Sequence, residues 1–193
     1  MRQDEFIPMG HNSAPPSDSS LPAEGANHKL IEPARIEELP SFTLAGISTV
    51  TTNAAELSGK GKIGQLFEHF HALNISELLA PHLQQHGHYS CYFNYEQGAD
   101  GQYEVMVGVH VRELVQVQDL ASISTFTVPS AKYAVFVTER GPIIEVVQRA
   151  WTDIWHWSKQ SGNDRAFTGD FEWYSPNVDP NDGQAEIYIA IRQ

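Results

Sequence analysis

Two stretches of the chain share one pattern, DGQYEVMVGV at residues 100–109 and DGQAEIYIAI at residues 182–191. In each, a turn-forming Asp-Gly precedes a strand whose side chains alternate between two faces of a sheet. A second pair, LPSFTLAGI at 39–47 and VPSAKYAVF at 128–136, lies earlier in each half. This internal repeat indicates two copies of one supersecondary unit. Each copy alone would leave a sheet face uncovered, so we expect them to pack together into one domain.

The first half follows the order strand, helix, strand, strand. Its opening strand pattern runs from Arg35 to Thr51 and is broken near Pro40, since proline cannot donate to a sheet ladder. A helix around Phe67 follows, because apolar residues recur there at helical spacing. Tyr89–Tyr95 and Tyr103–Val111 then form a hairpin around the turn-rich segment EQGADG.

The second half repeats this order. A strand pattern covers Thr125–Val137, and Gly141-Pro142 opens a helix at a position where the missing N–H of proline is harmless. Phe171–Tyr174 and Gln184–Ile191 form the second hairpin. The sequence therefore predicts an α+β domain of two βαββ modules, mostly antiparallel, in which each helix covers one sheet face.

Residues 1–32 are predicted to form a disordered tail. They include HNSAPPSDSSLPAEGAN, which has no periodic apolar pattern and too little apolar surface to offset the entropy of ordering. The folded domain then spans residues 33–193, with repeat halves at about 33–120 and 121–193.

Charge and composition narrow the classes of partner. The chain has 12 Lys and Arg against 24 Asp and Glu, a net charge of −12, so we expect it to bind neither duplex DNA nor anionic membranes. No apolar run approaches membrane-spanning length, and no secretory signal is recognisable at the start. Cys91 is the single cysteine and cannot form an intrachain disulfide, which favours a cytoplasmic setting.

The sequence motifs give little support for a metal site, a cofactor site or a catalytic nucleophile. His82, His86 and His88 lie close to Cys91, but no second ligand pair with zinc spacing exists elsewhere in the sequence. The glycines in SGKGKIGQL lack the complete phosphate-loop pattern. We therefore predict no metal, no cofactor and no catalytic set, and interpret Cys91 as a small buried apolar residue.

Alternation assigns the last strand of each half to two faces. One row is apolar and is predicted to face the helix-covered core: Val105, Val107 and Val109, with Ile187, Ile189 and Ile191. The opposite row contains the small residues Gly108 and Ala190, which could leave room for a ligand to approach. The alternative is that this second face is simply washed by solvent.

The strand before the last one carries an acid among aromatic residues. In DFEWYS, Phe171 and Trp173 share one face while Glu172 and Tyr174 share the other, and the repeat alignment places neutral Asn94 opposite Glu172. A carboxylate flanked by rings suits a cationic or hydrogen-bonding ligand, since the acid supplies charge and the rings supply quadrupole attraction. The alternative is a solvent-facing glutamate in an edge strand.

The last 70 or so residues resemble a known family. The segments KYAVF at 132–136, Gly-Pro at 141–142, a helix containing Trp151, FE-x-Y at 171–174 and EIY-x-x-I at 186–191 occur in the order found in GyrI-like effector-binding domains. Such domains form the C-terminal part of AraC-type and MerR-type multidrug regulators. They also occur alone, as in integron-cassette drug-binding proteins.

The resemblance implies a pseudo-twofold pair of βαββ modules with antiparallel sheets and a ligand cleft between them. It also implies that the acid at the FE-x-Y position, here Glu172, contacts lipophilic cations in that cleft. Aromatic residues expected to line it are Tyr133, Trp151 and Tyr174, with Trp155 and Tyr92 as further candidates.

No helix-turn-helix is expected before the domain, because residues 1–32 are too short and too rich in Ser and Pro. The sequence thus favours a stand-alone domain that binds lipophilic, cationic small molecules, like the sensing half of a regulator. Two alternatives remain. One is a small-molecule hydrolase that uses Glu172 as base with Tyr133 or Tyr174. The other is a GyrI-like inhibitor that binds a protein partner through its acidic surface.

Overall fold

The computed structural model describes residues 31–112, 123–160 and 162–192. Most of the tail predicted at residues 1–32 lies outside these ranges. In chain order the strands are β1 (Arg35–Leu39), β2 (Phe42–Thr52), β3 (His88–Phe93), β4 (Gln102–Val111), β5 (Ser124–Val128), β6 (Ala131–Val137), β7 (Asp170–Tyr174) and β8 (Glu186–Ile191). The helices are α1 (Asn53–Leu57), α2 (Ile63–Ala72), α3 (Ile75–Leu78) and α4 (Ile143–Ser158), with a 3₁₀ turn at Ala80–His82.

One antiparallel sheet unites both halves. Its strand order is β1-β6-β8-β7-β3-β4-β2-β5, and β3 and β7 form the central pair. The order is symmetric about that pair, because β8, β6 and α4 of the second half occupy the places that β4, β2 and α2 occupy in the first. The predicted α+β class and the paired modules are confirmed.

The first strand of each half is split at a Pro-Ser pair. Pro40 separates β1 from β2, as predicted, and Pro129 separates β5 from β6 in the same way. The uninterrupted strand predicted over Thr125–Val137 is therefore wrong, because proline lacks the N–H that would continue the ladder. After each break the chain changes neighbours: β1 pairs with β6 of the other half, and β5 pairs with β2.

The helices cover one face of the sheet with the main apolar core. The predicted row is confirmed, since Val105, Val107, Val109, Ile187 and Ile189 are at most 1 % exposed and Ile191 packs at the edge. Helix α4 contributes the side chains of Ile143, Val146, Val147, Ala150, Ile154 and Trp157. Each large apolar side chain buried in this way stabilises the fold by roughly 1.5–3 kcal/mol.

The opposite face carries a second core of strand-borne side chains, among them Cys91, Tyr133, Phe171, Tyr188 and Ala190. Cys91 is fully buried, as predicted. The expectation that Gly108 leaves room for a ligand is wrong. A Cβ at Gly108 would lie 2.6 Å from the Ala45 carbonyl oxygen, so its small size serves the close approach of β2 and β4.

Among the described helices, none is long and apolar enough to cross a membrane. Within the same residues, no group of three His, Cys, Asp or Glu side chains is placed to hold a metal ion.

Candidate functional site

Glu172 lies at the centre of the sheet, on the face that the helices cover. It belongs to β7, which is flanked by β8 and β3, and its backbone pairs with Ser90 on β3. Alternation along β7 turns Glu172 and Tyr174 to the helix side, as predicted, while Phe171 joins the core of the other face. Glu172 is only 2 % exposed. It is therefore neither at a sheet edge nor in contact with solvent.

Three aromatic side chains donate hydrogen bonds to this carboxylate. Oε1 accepts from the Tyr92 hydroxyl at 2.8 Å and from the Trp151 Nε1–H at 2.6 Å. Oε2 accepts from the Tyr174 hydroxyl at 2.6 Å. The Tyr92 hydroxyl lies 3.3 Å from Ser90 Oγ, which donates to it and extends the network along β3. We call Glu172, Tyr92, Trp151 and Tyr174 the carboxylate cluster.

The cluster is assembled from three elements. Tyr92 projects from β3 of the first half, Glu172 and Tyr174 from β7 of the second, and Trp151 from α4 above the sheet. On the other flank the Tyr174 ring approaches Phe67 of α2, with ring centres 6.4 Å apart. The carboxylate thus lies between α2 and α4, where the two modules meet.

Burial sets the protonation behaviour of Glu172. Loss of water raises the pKa of Glu172, and the hydrogen bonds from Tyr174, Trp151 and Tyr92 oppose that rise without cancelling it. Among the described residues, no basic side chain forms an ion pair with the carboxylate. A buried carboxylate without a counter-ion is stabilised when it gains a proton or binds a cation.

His88 completes the α2 side of the site. Its imidazole stacks on the Tyr174 ring at 4.7 Å with an interplanar angle of 6°. Burial, with a smaller contribution from His71, lowers the pKa of His88 to about 4. The histidine is therefore uncharged at neutral pH, and this wall of the site adds aromatic surface without adding positive charge.

A resident cation lies next to the cluster. Arg165 forms a buried ion pair with Asp170 at 2.7 Å, and Asp170 precedes Glu172 by two positions on β7. The guanidinium carbon lies 5.4 Å from the centre of the Trp151 ring and 4.5 Å from that of Phe167. Tyr95 donates to Asp170 at 2.9 Å and accepts from Arg165 at 3.1 Å. Arg165 and Asp170 neutralise each other, so Arg165 does not neutralise the charge of Glu172.

Sequence reasoning missed Arg165 and Asp170. Arg165 lies in irregular chain between α4 and β7, where no periodicity assigns a face. Asp170 did carry a signal, because strand alternation places it on the same face as Glu172.

The structure brings four of the six proposed ligand-binding residues together, namely Glu172, Tyr92, Trp151 and Tyr174. Trp155 lies one turn beyond Trp151 on α4, half-buried, and is not one of the carboxylate's donors. Tyr133 lies on the opposite sheet face, where its hydroxyl donates to the Pro129 carbonyl at 3.2 Å.

The family model of integron-associated effector-binding proteins matches residues 35–191. The chain belongs to this family. It is 33% identical over 163 residues to a Bacillus subtilis (strain 168) protein named "Putative transcriptional regulator protein YobU", covering 83% of this chain and 98% of that protein.

Two solved structures share the fold. An integron cassette protein from the mobile metagenome of Vibrio cholerae is 32% identical, with a TM-score of 0.65 over 82% of this chain and 95% of that one. SAV2435, solved with tetraphenylphosphonium bound, is 20% identical, with a TM-score of 0.67 over 82% of this chain and 93% of that one. Membership of the effector-binding family and the shared fold agree with the resemblance seen in the sequence.

Proposed function

We propose that this protein binds lipophilic organic cations at Glu172, between α2 and α4, and serves to sense or sequester them. The observation that carries the proposal is a carboxylate buried among aromatic side chains, with no cationic partner among the residues that the structure describes. By contrast, Asp170 on the same face of β7 has a cationic partner, Arg165.

The energetics favour a cation over other ligands. Burying an ionised carboxylate is costly unless a charge partner arrives, and an organic cation supplies one with a small desolvation cost of its own. The rings of Tyr92, Trp151 and Tyr174 offer apolar contact and a negative quadrupole face to the same ligand. An anion would meet the unpaired charge of Glu172 and is disfavoured.

Binding requires a donor to move. Both oxygens of Glu172 already accept hydrogen bonds, so a cation reaches the carboxylate only after at least one donor withdraws. Trp151 is half-buried at the surface of α4, whereas Tyr174 is only 4 % exposed. We therefore expect the indole of Trp151 to be displaced first, opening a path beside α4.

What is stated of two similar proteins supports this proposal. SAV2435 was solved with a lipophilic cation bound, and the name of the Bacillus relative refers to transcriptional regulation.

The hydrolase alternative uses the same carboxylate. Of its two tyrosine candidates, Tyr174 contacts Glu172 at 2.6 Å, while Tyr133 lies on the other face of the sheet.

The test is calorimetric titration with tetraphenylphosphonium and with neutral triphenylphosphine oxide. Glu172→Gln keeps the shape of the site and removes the charge, so affinity for the cation should fall by about 2 to 4 kcal/mol. Affinity for the neutral compound should change much less, because it depends on ring area.

The matched control is Glu145→Gln, which removes an exposed carboxylate from the first turn of α4. It should leave both affinities nearly unchanged, since exposed charges are screened. Equal losses for the cation and the neutral compound in Glu172→Gln would assign Glu172 a structural role and contradict the proposal.

A further inference from the structure

A cavity lies on the sheet face opposite Glu172. Its volume is about 330 Å³, which falls within the range of small-molecule sites. Its walls come from β1 and β2, the segment before β3, and residues of β3, β4, β7 and β8 on this face of the sheet. The walls include Phe42, Tyr89, Phe171, Trp173, Tyr188 and Glu186. We call it the outer cavity.

Aromatic rings that contact one another line the outer cavity. Phe171 and Tyr188 stack with ring centres 4.4 Å apart and an interplanar angle of 14°. Phe42 meets Phe171 edge-on at 5.4 Å, and Tyr89 lies 5.8 Å from both Phe42 and Phe171. Strand pairing fixes this array, since Phe171 lies directly opposite Tyr188 in the ladder. A rigid ring surface of this kind favours a flat ligand.

The rim of the outer cavity carries an excess of negative charge. Glu37 and Glu186 both line it and share one guanidinium, that of Arg35, at 2.9 Å each. Arg35 lowers the pKa of Glu186, which therefore stays ionised at neutral pH. His110 also lines the cavity, and burial lowers its pKa, so it adds no positive charge there. Two carboxylates and one guanidinium leave one negative charge unmatched.

A polar group without a partner lies in the same wall. Trp173 lines the cavity, and its Nε1–H is buried without a hydrogen-bond acceptor among the described residues. Buried donors in native proteins are nearly always satisfied, so an orphaned one calls for an explanation. This nitrogen has almost no accessible surface and lies beside Gly87, so Trp173 contributes ring surface to the cavity wall and not a hydrogen-bond donor.

We infer that the outer cavity is a second small-molecule site, which takes a flat aromatic monocation. The rings of Phe42, Tyr89, Phe171 and Tyr188 would contact its face, and its positive charge would lie at the Glu37–Glu186 rim. This site is separate from the carboxylate cluster, because alternation along β7 turns Trp173 and Glu172 to opposite sides of the sheet. It does not depend on the function proposed for Glu172.

The experiment follows the indole N–H signals of the four tryptophans by ¹⁵N NMR of the full-length protein. Trp→Phe variants assign the signals of Trp151 and Trp173, which report on the carboxylate cluster and the outer cavity respectively. The probes are proflavine, a flat cation, and phenazine, a neutral molecule of similar shape. Titration into Glu172→Gln weakens competing binding at the carboxylate cluster.

In Glu172→Gln, proflavine should still shift the Trp173 signal, with an affinity within about twofold of that in the wild type. Glu37→Gln removes one exposed rim charge and should weaken this binding by about two- to fivefold. Trp173→Phe should weaken it by about two- to tenfold, because it removes aromatic area from the wall. Proflavine fluorescence measures the affinity of this variant. Phenazine should bind at least about threefold more weakly than proflavine.

Three results would overturn the inference. The first is that proflavine shifts only the Trp151 signal, or no indole signal at all. The second is that the Trp173 shift disappears in Glu172→Gln, which would make it an indirect effect of binding at the carboxylate cluster. The third is equal binding of phenazine and proflavine, which would remove the assigned charge preference. Failure of the proposed function would appear separately, as an unresponsive Trp151 signal with tetraphenylphosphonium.

Discussion

The β7–β8 strand pair carries one glutamate on each face of the sheet, and the two lie in opposite environments. On the helix side, Glu172 is buried, receives hydrogen bonds only from neutral donors, and has a raised pKa. On the other side, Glu186 of the neighbouring strand is partly exposed, pairs with Arg35, and has a lowered pKa. The same strand pair thus offers one carboxylate that lacks a cation and one that already has its own. Burial without a counter-ion, more than the acid itself, is what marks a candidate cation site.

The largest expected effect concerns the completed ion pair beside Glu172. Arg165→Met should destabilise the fold by about 3 to 5 kcal/mol, because Asp170 would be left as a buried charge without its partner. Chemical denaturation at neutral pH measures this. Arg192→Met is the control, since its pair with Asp164 is exposed and should be worth at most about 1 kcal/mol. Similar small losses in both variants would mean that burial does not separate these two pairs.

Glu172→Gln should increase stability by about 1 kcal/mol at pH 8, because it removes a charge that the fold buries at a cost. The pKa of Glu172 is raised, so the folded state holds the proton more tightly than the unfolded state. Stability of the wild type therefore falls as pH rises through that raised pKa.

The advantage of the Gln variant should consequently disappear below about pH 4, near the pKa of an unfolded glutamate. Thermal or urea unfolding of both proteins across this range provides the measurement. An advantage that grows as pH falls would show that the hydrogen bonds outweigh burial at Glu172.

Trp151→Phe keeps the ring and removes one of the three donors. We expect the free energy of unfolding to fall by about 1 to 2 kcal/mol at pH 8, because the ionised carboxylate depends on its hydrogen-bond donors more than the protonated form does. The pKa of Glu172 should rise further, as ¹³C NMR titration of its carboxyl group can follow. Trp155→Phe is the matched control on the same helix and should leave that pKa in place. A change of similar size in both variants would point to a general perturbation of α4.

The smallest effect is expected on the outer face. Arg35→Met should cost no more than about 1 kcal/mol, because its ion pairs with Glu37 and Glu186 are partly exposed and screened. The pKa of Glu186 should return toward its ordinary value, since Arg35 is the main cause of its lowering. Carboxyl titration by NMR tests this, and an unchanged pKa would remove the contrast between the two faces.

Alternation in the sequence predicted the helix-covered face of the sheet correctly, but it did not predict that the opposite face carries a second core. Val105 and Ile187 could be assigned to the core because a period of two is a local property of the chain. The exchange of β1 and β5 between halves could not be predicted in this way, since it depends on pairing between distant segments. The break at Pro129 follows the same rule as the break at Pro40, because proline cannot donate to a sheet ladder.

The site was predicted less completely. Glu172, Trp151 and Tyr174 follow from the family pattern, and Tyr92 was a weaker candidate that proves to be a direct donor. The alignment of Asn94 with Glu172 does not correspond to the structure, because Asn94 lies past the end of β3 in a left-handed conformation with φ of 51°. Which donors reach the carboxylate depends on the packing of α4 over the sheet, and no local pattern contains that information.

The exchanged edge strands make the two halves of the protein inseparable. Cutting the chain between β4 and β5 would leave each fragment without the strand that closes its own edge, and with a strand that fits only the other fragment. Two copies of one fragment could satisfy both needs by swapping, which would give a closed homodimer. The single chain has the connectivity of such a dimer joined end to end. Its unfolding should accordingly be a single cooperative transition, with neither half persisting alone.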